Sequence, residues 1–166
     1  MARFPLVPTA PAPERAVLVG VEWRDNAWPL DRSLDELERL APKAGAHWGG
    51  GLSKRRVKPH PKTFIGSGKV GELCGLVHRM DADVVIFDDD LTPSQQSYLE
   101  KAVGEPVKII DRTALILDIF GLHAQTREGR LQVQLAQLQY LLPRLRGMWS
   151  HLAKEQTRGG IGSRFG

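Results

Sequence analysis

Two helix patterns follow each other in residues 111–147, which read DRTALILDIFGLHAQTREGRLQVQLAQLQYLLPRLRG. Nearly every residue from Ala114 to Leu122 is apolar. A helix that is apolar on all sides is normally buried, so we expect this one to be buried. After a polar break, leucines recur at spacings of four, three, four and three. This spacing predicts the a/d seam of a coiled coil, which needs a partner helix. The seam consists of Leu131, Leu135, Leu138, Leu142 and Leu145.

The residues after Gly147 contain no candidate for that partner helix, because residues 148–166 are rich in glycine and arginine. We therefore expect that the seam takes its partner from elsewhere, or that this chain is the front part of a longer protein. A non-native dimer through the leucine seam is the expected alternative for the isolated chain.

The residues before Asp111 alternate between strand and helix patterns. Short valine-rich strands are predicted on either side of helical stretches, and this alternation is typical of a parallel sheet. The predicted fold class is therefore α/β: a small, four-stranded, mostly parallel sheet flanked by helices, followed by a helical, half coiled-coil subdomain. The predicted strands are Ala16–Trp23, an irregular edge strand after Gly45, Asp83–Asp89 and Val107–Asp111.

Capping residues mark the predicted starts of two helices. Asp31 or Ser33 is a candidate N-cap for the first helix, and Ser33 with Glu36 forms a capping-box pattern. Thr92 followed by Pro93 is typical of an N-cap and a first helical position. The predicted buried face of the first helix consists of Leu34, Leu37 and Leu40.

Composition places the chain among soluble, reducing-compartment proteins, and we expect a cytoplasmic one. Its one cysteine excludes an intramolecular disulfide. No apolar run approaches the roughly 20 residues of a membrane-spanning helix. The N-terminus contains four prolines and lacks the apolar region of a secretory signal. The predicted domains are a flexible leader (1–15), an α/β subdomain (16–111), a helical subdomain (112–147) and a truncated, basic, glycine-rich loop (148–166).

Basic residues concentrate in the last quarter of the chain. Of 23 Lys/Arg and 19 Asp/Glu in total, residues 126–166 hold 7 and 2, so their balance is +5. Basic residues neutralise phosphates, aromatic residues stack on unpaired bases, and glycines allow close backbone approach, so this mixture favours RNA. A solvated tail without a partner is the alternative. The predicted RNA-binding residues are Arg144, Arg146, Trp149, His151, Lys154, Arg158 and Arg164.

The segment GSGKVG at residues 66–71 matches the glycine spacing of a dinucleotide-binding turn. The preceding KPHPKTFI lacks the apolar strand that this fold requires, and Val70 stands where a nucleotide-binding P-loop has Ser or Thr. A glycine-rich helix start still offers free N–H groups to an anion. Gly66, Gly68 and Lys69 therefore form a weak candidate for phosphate, and a nucleotide-binding α/β domain is the alternative function.

No pattern in the chain predicts an active site or a metal site. The acidic run Asp88–Asp90 follows a strand, where such residues are common in turns and caps. No Ser-His-Asp or Cys-His set and no histidine pair at ligand spacing is present. We therefore expect that this chain is not itself an enzyme and contains no metal or cofactor.

Three segments together resemble the N-terminal region of the HflX-type GTPases. They are KTFIGSGKV, the long block DRTALILDIFGLHAQTREGRLQVQLAQLQYLLPRL and GGIGSR, and the resemblance extends from Ala16 to Gly166. The resemblance implies an α/β subdomain followed by two long helices in an antiparallel coiled coil. It also implies binding to the large ribosomal subunit, splitting or rescue of stalled ribosomes, and GTP hydrolysis in a following G domain.

Carried onto this sequence, the resemblance places an RNA-contacting loop from about Gly147 onward. That loop coincides with the basic segment identified from charge. The chain stops inside it, so we expect the second helix and the G domain, with its GTP and Mg²⁺, to lie outside these residues. The expected partners are the large subunit and its rRNA, together with that G domain and second helix. No membrane partner is expected.

Overall fold

A four-stranded parallel β-sheet forms the centre of the computed structural model, which describes residues 13–23, 29–56 and 59–147. The strands lie in the order β2-β1-β3-β4, and every neighbouring pair is parallel. The predicted α/β class with four parallel strands is confirmed, and β2 lies at an edge, as the nearby Pro59 and Pro61 indicated. The strands are β1 (Glu14–Trp23), β2 (Ala46–Arg56), β3 (Val84–Phe87) and β4 (Lys108–Asp111).

Helices connect the strands and cover both faces of the sheet. Because successive side chains of a strand point to opposite faces, the apolar strands of a parallel sheet need a helical layer on each side. Three helices alternate with the strands, and two more follow β4. They are α1 (Leu30–Leu40), α2 (Ser67–Met80), α3 (Pro93–Val103), α4 (Arg112–His123) and α5 (Arg127–Leu141), with 3₁₀ turns at Ala41–Ala44 and Leu142–Gly147.

Two apolar cores result, one on each face of the sheet. Alternate residues of β1 enter different cores, since Val17 packs with α2 and α3 whereas Leu18 packs with α1 and α4. Leu99 of α3 and Leu115 of α4 are both fully buried, one in each core. Burial of one such leucine contributes about 1.5–3 kcal/mol, so both helices are firmly attached to the sheet.

The N-terminal side of the sheet differs from the prediction in two places. Strand β1 begins at Glu14, two residues inside the predicted leader, and the Glu14 carboxylate pairs with Lys108 Nζ at 2.6 Å. Helix α1 begins at Leu30 after Pro29, so the predicted capping box at Ser33 is wrong. The Ser33 hydroxyl instead donates to the Asp88 carboxylate across the end of the sheet.

The predicted start of α3 is confirmed. Thr92 Oγ1 accepts from the Gln95 N–H at 3.2 Å, and Gln95 Oε1 accepts from the Thr92 N–H at 2.9 Å, which completes a capping box. Pro93 occupies the first turn, where its missing N–H has no intrahelical partner to lose. Gly104 ends the helix at a φ of 82°, a conformation that favours glycine.

Helices α4 and α5 form an antiparallel hairpin at one end of the sheet. Tyr140 near the end of α5 contacts Asp111 at the start of α4, and Gln137 contacts the Leu117 carbonyl. The predicted all-round burial of α4 is wrong for its second half, where Phe120 is 56% exposed. The helix extends past the core there. Among the described residues, no helix combines the length and apolarity needed to cross a membrane.

Candidate functional site

An exposed apolar surface runs along α5 and is called the leucine face here. Its side chains are between 53% and 63% exposed, although leucines at a/d spacing are normally buried. The remaining seam residue, Leu145, is half-buried, and both Leu142 and Leu145 lie in the 3₁₀ turn that follows the α-helix. The leucine face therefore lacks a partner within the described part of the chain. It consists of Leu131, Leu135, Leu138 and Leu142.

The opposite side of α5 packs against α4. Gln137 is buried and its Nε2 donates to the Leu117 carbonyl at 3.5 Å, while Gly121 of α4 leaves room for that amide. The burial of Gln137 was not predicted from the sequence. The predicted continuation of one helix to Leu145 is also wrong, because Pro143 cannot continue the α-helical hydrogen bonds and a 3₁₀ turn follows Leu141.

A buried polar cluster fixes the end of α5 to the sheet, and we call it the Asp111 clamp. The fully buried Asp111 carboxylate accepts from the Leu91 N–H at 3.1 Å, the Ala114 N–H at 2.9 Å and the Tyr140 hydroxyl at 2.8 Å. Arg144 Nη2 lies 3.7 Å from the same carboxylate. The clamp therefore joins the sheet, the start of α4 and the end of α5 in one network.

Arg144, one of the predicted RNA-binding residues, belongs to this clamp. Its guanidinium donates to the Gln96 side chain at 2.9 Å, to the Tyr140 carbonyl at 3.0 Å and to the Leu91 carbonyl at 2.5 Å. It also lies 3.9 Å from the centre of the Tyr140 ring. With its side chain 11% exposed, Arg144 acts mainly inside the protein.

Burial dominates the ionisation of the clamp. It raises the pKa of the Asp111 carboxyl against the opposing effect of its backbone donors and Arg144. Burial and the nearby Asp111 charge also raise the pKa of the Tyr140 hydroxyl far above its ordinary range. Tyr140 therefore remains a hydrogen-bond donor at physiological pH, and the clamp holds the direction in which the chain leaves α5.

The GSGKVG segment does not form a dinucleotide-binding turn. The residues before it form a tight turn closed by a bridge between His60 and Phe64, with no strand leading into the glycines. The Gly66 N–H donates to Thr63 Oγ1 at 2.9 Å, so this N–H is already bonded. Lys69 Nζ pairs with Glu72 at 2.6 Å. The segment caps α2, and these contacts weaken its prediction as a phosphate site.

The usual ligand crevice of a doubly wound sheet is closed in this protein. In such sheets the crevice lies beyond the carboxyl ends of the strands where the strand order reverses, here between β1 and β3. Arg112 pairs there with Asp88 at 2.5 Å and with Glu36 at 2.7 Å. Asp90 accepts from the Thr113 hydroxyl at 2.5 Å. These contacts hold α1 and α4 against the strand ends. Asp88 and Asp90 of the acidic run therefore have structural roles.

The basic segment, residues 148–166, lies outside the residues that the structure describes. Arg146 lies in the 3₁₀ turn, but its side chain is outside the described part of the chain. The other predicted RNA-binding residues also lie outside the described residues: Trp149, His151, Lys154, Arg158 and Arg164. Within the described ranges, no group of three or more His, Cys, Asp or Glu side chains converges on a potential metal site.

Two family-wide sequence patterns cover most of the chain. The pattern described as "GTP-binding GTPase N-terminal" matches residues 31–121, and "GTP-binding GTPase Middle Region" matches residues 123–166. The boundary between them, at residue 122, lies in the last turn of α4. The chain belongs to the HflX family of GTPases. The family resemblance deduced from the sequence is confirmed.

Curated relatives named GTPase HflX support this membership. The protein of Flavobacterium psychrophilum is 45% identical over 152 residues, which are 91% of this chain and 36% of the relative. The Escherichia coli protein is 44% identical over 153 residues, which are 92% of this chain and 34% of the relative. This HflX-family chain therefore spans about a third of the length of the relatives it matches.

Solved structures with the same fold are GTP-binding proteins. A GTP-binding protein from the archaeon Sulfolobus solfataricus in complex with GDP has a TM-score of 0.60 at 18% identity, over 91% of this chain and 44% of that one. A structure of SsGBP with GDP has a TM-score of 0.63 at 20% identity, over 91% of this chain and 41% of that one. At these identities, the likeness establishes the fold of this HflX-family chain.

Proposed function

We propose that this chain is the module with which an HflX-type GTPase binds the rRNA of the large ribosomal subunit. The sheet and its helices are the scaffold, the α4–α5 hairpin is the arm, and the basic segment 148–166 is the RNA contact. In the whole protein this module serves the splitting or rescue of stalled ribosomes in the cytoplasm, and it restrains the G domain.

The observation that carries this proposal is the leucine face of α5, which is exposed and leads into the basic segment. An exposed apolar face of this kind supports a docking surface for another helix. The Asp111 clamp holds the end of α5, so the basic segment starts from a fixed point at Gly147. Together these features suit an arm that presents the positively charged basic segment to RNA.

The proposed occupant of the leucine face is a second helix from the remaining part of the parent protein. Four leucines at a/d spacing need a helix with a matching seam, and the chain covers only about a third of its relatives, 34–36% for two of them. An antiparallel pairing would return the chain from the basic segment to the body of the protein. The basic segment would then be the loop at the tip of a helical hairpin.

We assign GTP binding to another part of the parent protein. The glycine-rich start of α2 does not fit a nucleotide, because Lys69 pairs with Glu72 and the Gly66 N–H bonds to Thr63. The crevice at the strand ends does not fit one either, since the Arg112 ion pairs close it. The nucleotide-binding alternative therefore has no geometric support among the described residues.

Replacing Arg158 and Arg164 with glutamine is expected to weaken binding to isolated large subunits about tenfold at moderate salt, because two phosphate contacts are lost. Co-sedimentation of the 166-residue chain across a salt series measures this change. The slope of log affinity against log salt should also become shallower by about 1–2.

The matched control is Arg39→Gln with Lys43→Gln, which removes the same charge from two exposed residues near α1. The control should bind large subunits like the unmodified chain. Equal binding by the Arg158/Arg164 variant and the control would refute the proposed RNA contact. An unmodified chain that fails to bind large subunits at low salt would refute the proposed function as a whole.

A further inference from the structure

A surface groove lies between α3 and the 3₁₀ turn that follows α5, and we call it the α3 groove. Its cavity volume is about 580 Å³, and Lys62, which precedes α2, also lines it. Of the residues that line the groove, Arg144 is the one that belongs to the predicted RNA-binding residues, and none belongs to the leucine face. The side chains on which its chemistry depends are Lys62, Ser94, Ser97, Tyr98, Lys101 and Arg144.

One side of α3 supplies most of these groups. Ser94, Ser97, Tyr98 and Lys101 are spaced at i, i+3, i+4 and i+7, so they share one helix face. Lys62 Nζ lies 5.2 Å from the centre of the Tyr98 ring, and this cation–π contact holds the ammonium group over the groove. The groove thus combines two hydroxyls, an aromatic ring and two exposed ammonium groups.

The charge of the groove is positive. Its lining contains Lys62, Lys101 and Arg144 against one carboxylate, Glu100, which is buried and accepts from Gln96 Nε2 at 3.3 Å. Arg144 is also paired with the buried Asp111, so Lys62 and Lys101 supply the net positive charge. The same Gln96 accepts from Arg144 at 2.9 Å, so the guanidinium is fixed at the groove. The exposed ammonium groups of Lys62 and Lys101 and the adjacent hydroxyls match the oxygens of a phosphate group, whereas a bound cation would be repelled.

We propose that the α3 groove binds phosphates of the RNA strand that the basic segment contacts. This inference rests on the proposed function and extends its RNA interface onto the α/β part of the chain. Arg144 precedes Gly147 by three residues, a stretch that spans at most about 11 Å. The groove and the start of the basic segment are therefore neighbours. Lys62 and Lys101 supply the phosphate contacts, and the Asp111 clamp fixes the position of the groove relative to the end of α5.

The test is the affinity of the 166-residue chain for a fluorescently labelled twelve-nucleotide uridine RNA, measured by anisotropy between 50 and 200 mM salt. Replacing Lys62 and Lys101 together with glutamine should weaken binding about five- to tenfold at low salt. The slope of log affinity against log salt should decrease by about 1.4, because each single-strand phosphate contact contributes about 0.7. The control variant Arg39→Gln with Lys43→Gln, on the opposite face of the sheet, should change neither quantity.

An RNA affinity of the Lys62/Lys101 variant equal to that of the control would overturn the groove proposal and leave the proposed function intact. Absence of RNA binding by the unmodified chain would overturn both. Inorganic phosphate distinguishes the source of the anion. If it displaces the RNA at low millimolar concentration, the groove is a small-anion site and the RNA proposal is wrong. Circular dichroism melting of both variants should match the unmodified chain, because all four substituted side chains are exposed.

Discussion

Replacing Arg144 with methionine is expected to lower the free energy of unfolding by about 3 kcal/mol, at the lower end of the range for breaking a buried ion pair. Asp111 would keep its fully buried carboxylate and lose the guanidinium that lies 3.7 Å away. The Leu91 and Ala114 N–H groups and the Tyr140 hydroxyl would remain as donors, which limits the loss. Tyr140 would also lose its cation–π contact.

Urea unfolding followed by circular dichroism measures this change, with Arg127→Met as the matched control. Arg127 is exposed at the start of α5, so its replacement should change the unfolding free energy by less than about 0.5 kcal/mol. Equal stabilities of the two variants would show that the Asp111 clamp does not hold α5 against the sheet. The basic segment would then have no fixed starting point at Gly147.

The isolated chain is expected to self-associate through the leucine face, and Leu135→Glu with Leu138→Glu should weaken that association about a thousandfold. In a symmetric dimer the two substitutions would remove four interface leucines, two from each chain. Each is a little over half exposed in the single chain, so its further burial is worth about 1 kcal/mol. A sum of about 4 kcal/mol corresponds to a thousandfold change in the dissociation constant.

Sedimentation equilibrium over a range of micromolar concentrations measures this association. Gln132→Glu with Gln139→Glu introduces the same charge on exposed neighbours of the leucine face without removing a leucine. That control should change the dissociation constant less than tenfold. A strictly monomeric unmodified chain, or equal weakening by both variants, would contradict a helix-binding role for the leucine face.

Local sequence patterns were sufficient for the sheet and for the ends of α3. The alternation of strands and helices and the Thr92-Pro93 start each depend on residues close in the chain, so local sequence is enough to predict them; the end at Gly104 is of the same local kind. The cap of α1 was misread because tertiary packing decides it. Leu30 is buried, and one of its methyl carbons lies where a side chain at Gly20 would begin, which anchors the helix start before Ser33.

The functional surfaces were only partly predictable. The leucine periodicity indicated an apolar edge without a partner, and the structure leaves that edge exposed on α5. The Asp111 clamp was not predicted, because its members are far apart in sequence: Arg144 bonds to Gln96 and Leu91 across 48 and 53 positions. Asp111 before Ala114 was a readable N-cap pattern, but its pairing with Tyr140 depends on the return of α5 along α4.

Placing a photo-cross-linking amino acid at position 149 and mapping its contacts on large ribosomal subunits tests the central claim most directly. We expect cross-links to the subunit's rRNA that disappear when Arg158 and Arg164 are replaced with glutamine or when the salt concentration is raised. Cross-links confined to ribosomal proteins, or none despite co-sedimentation, would contradict the claim that the α5 arm delivers the basic segment to rRNA.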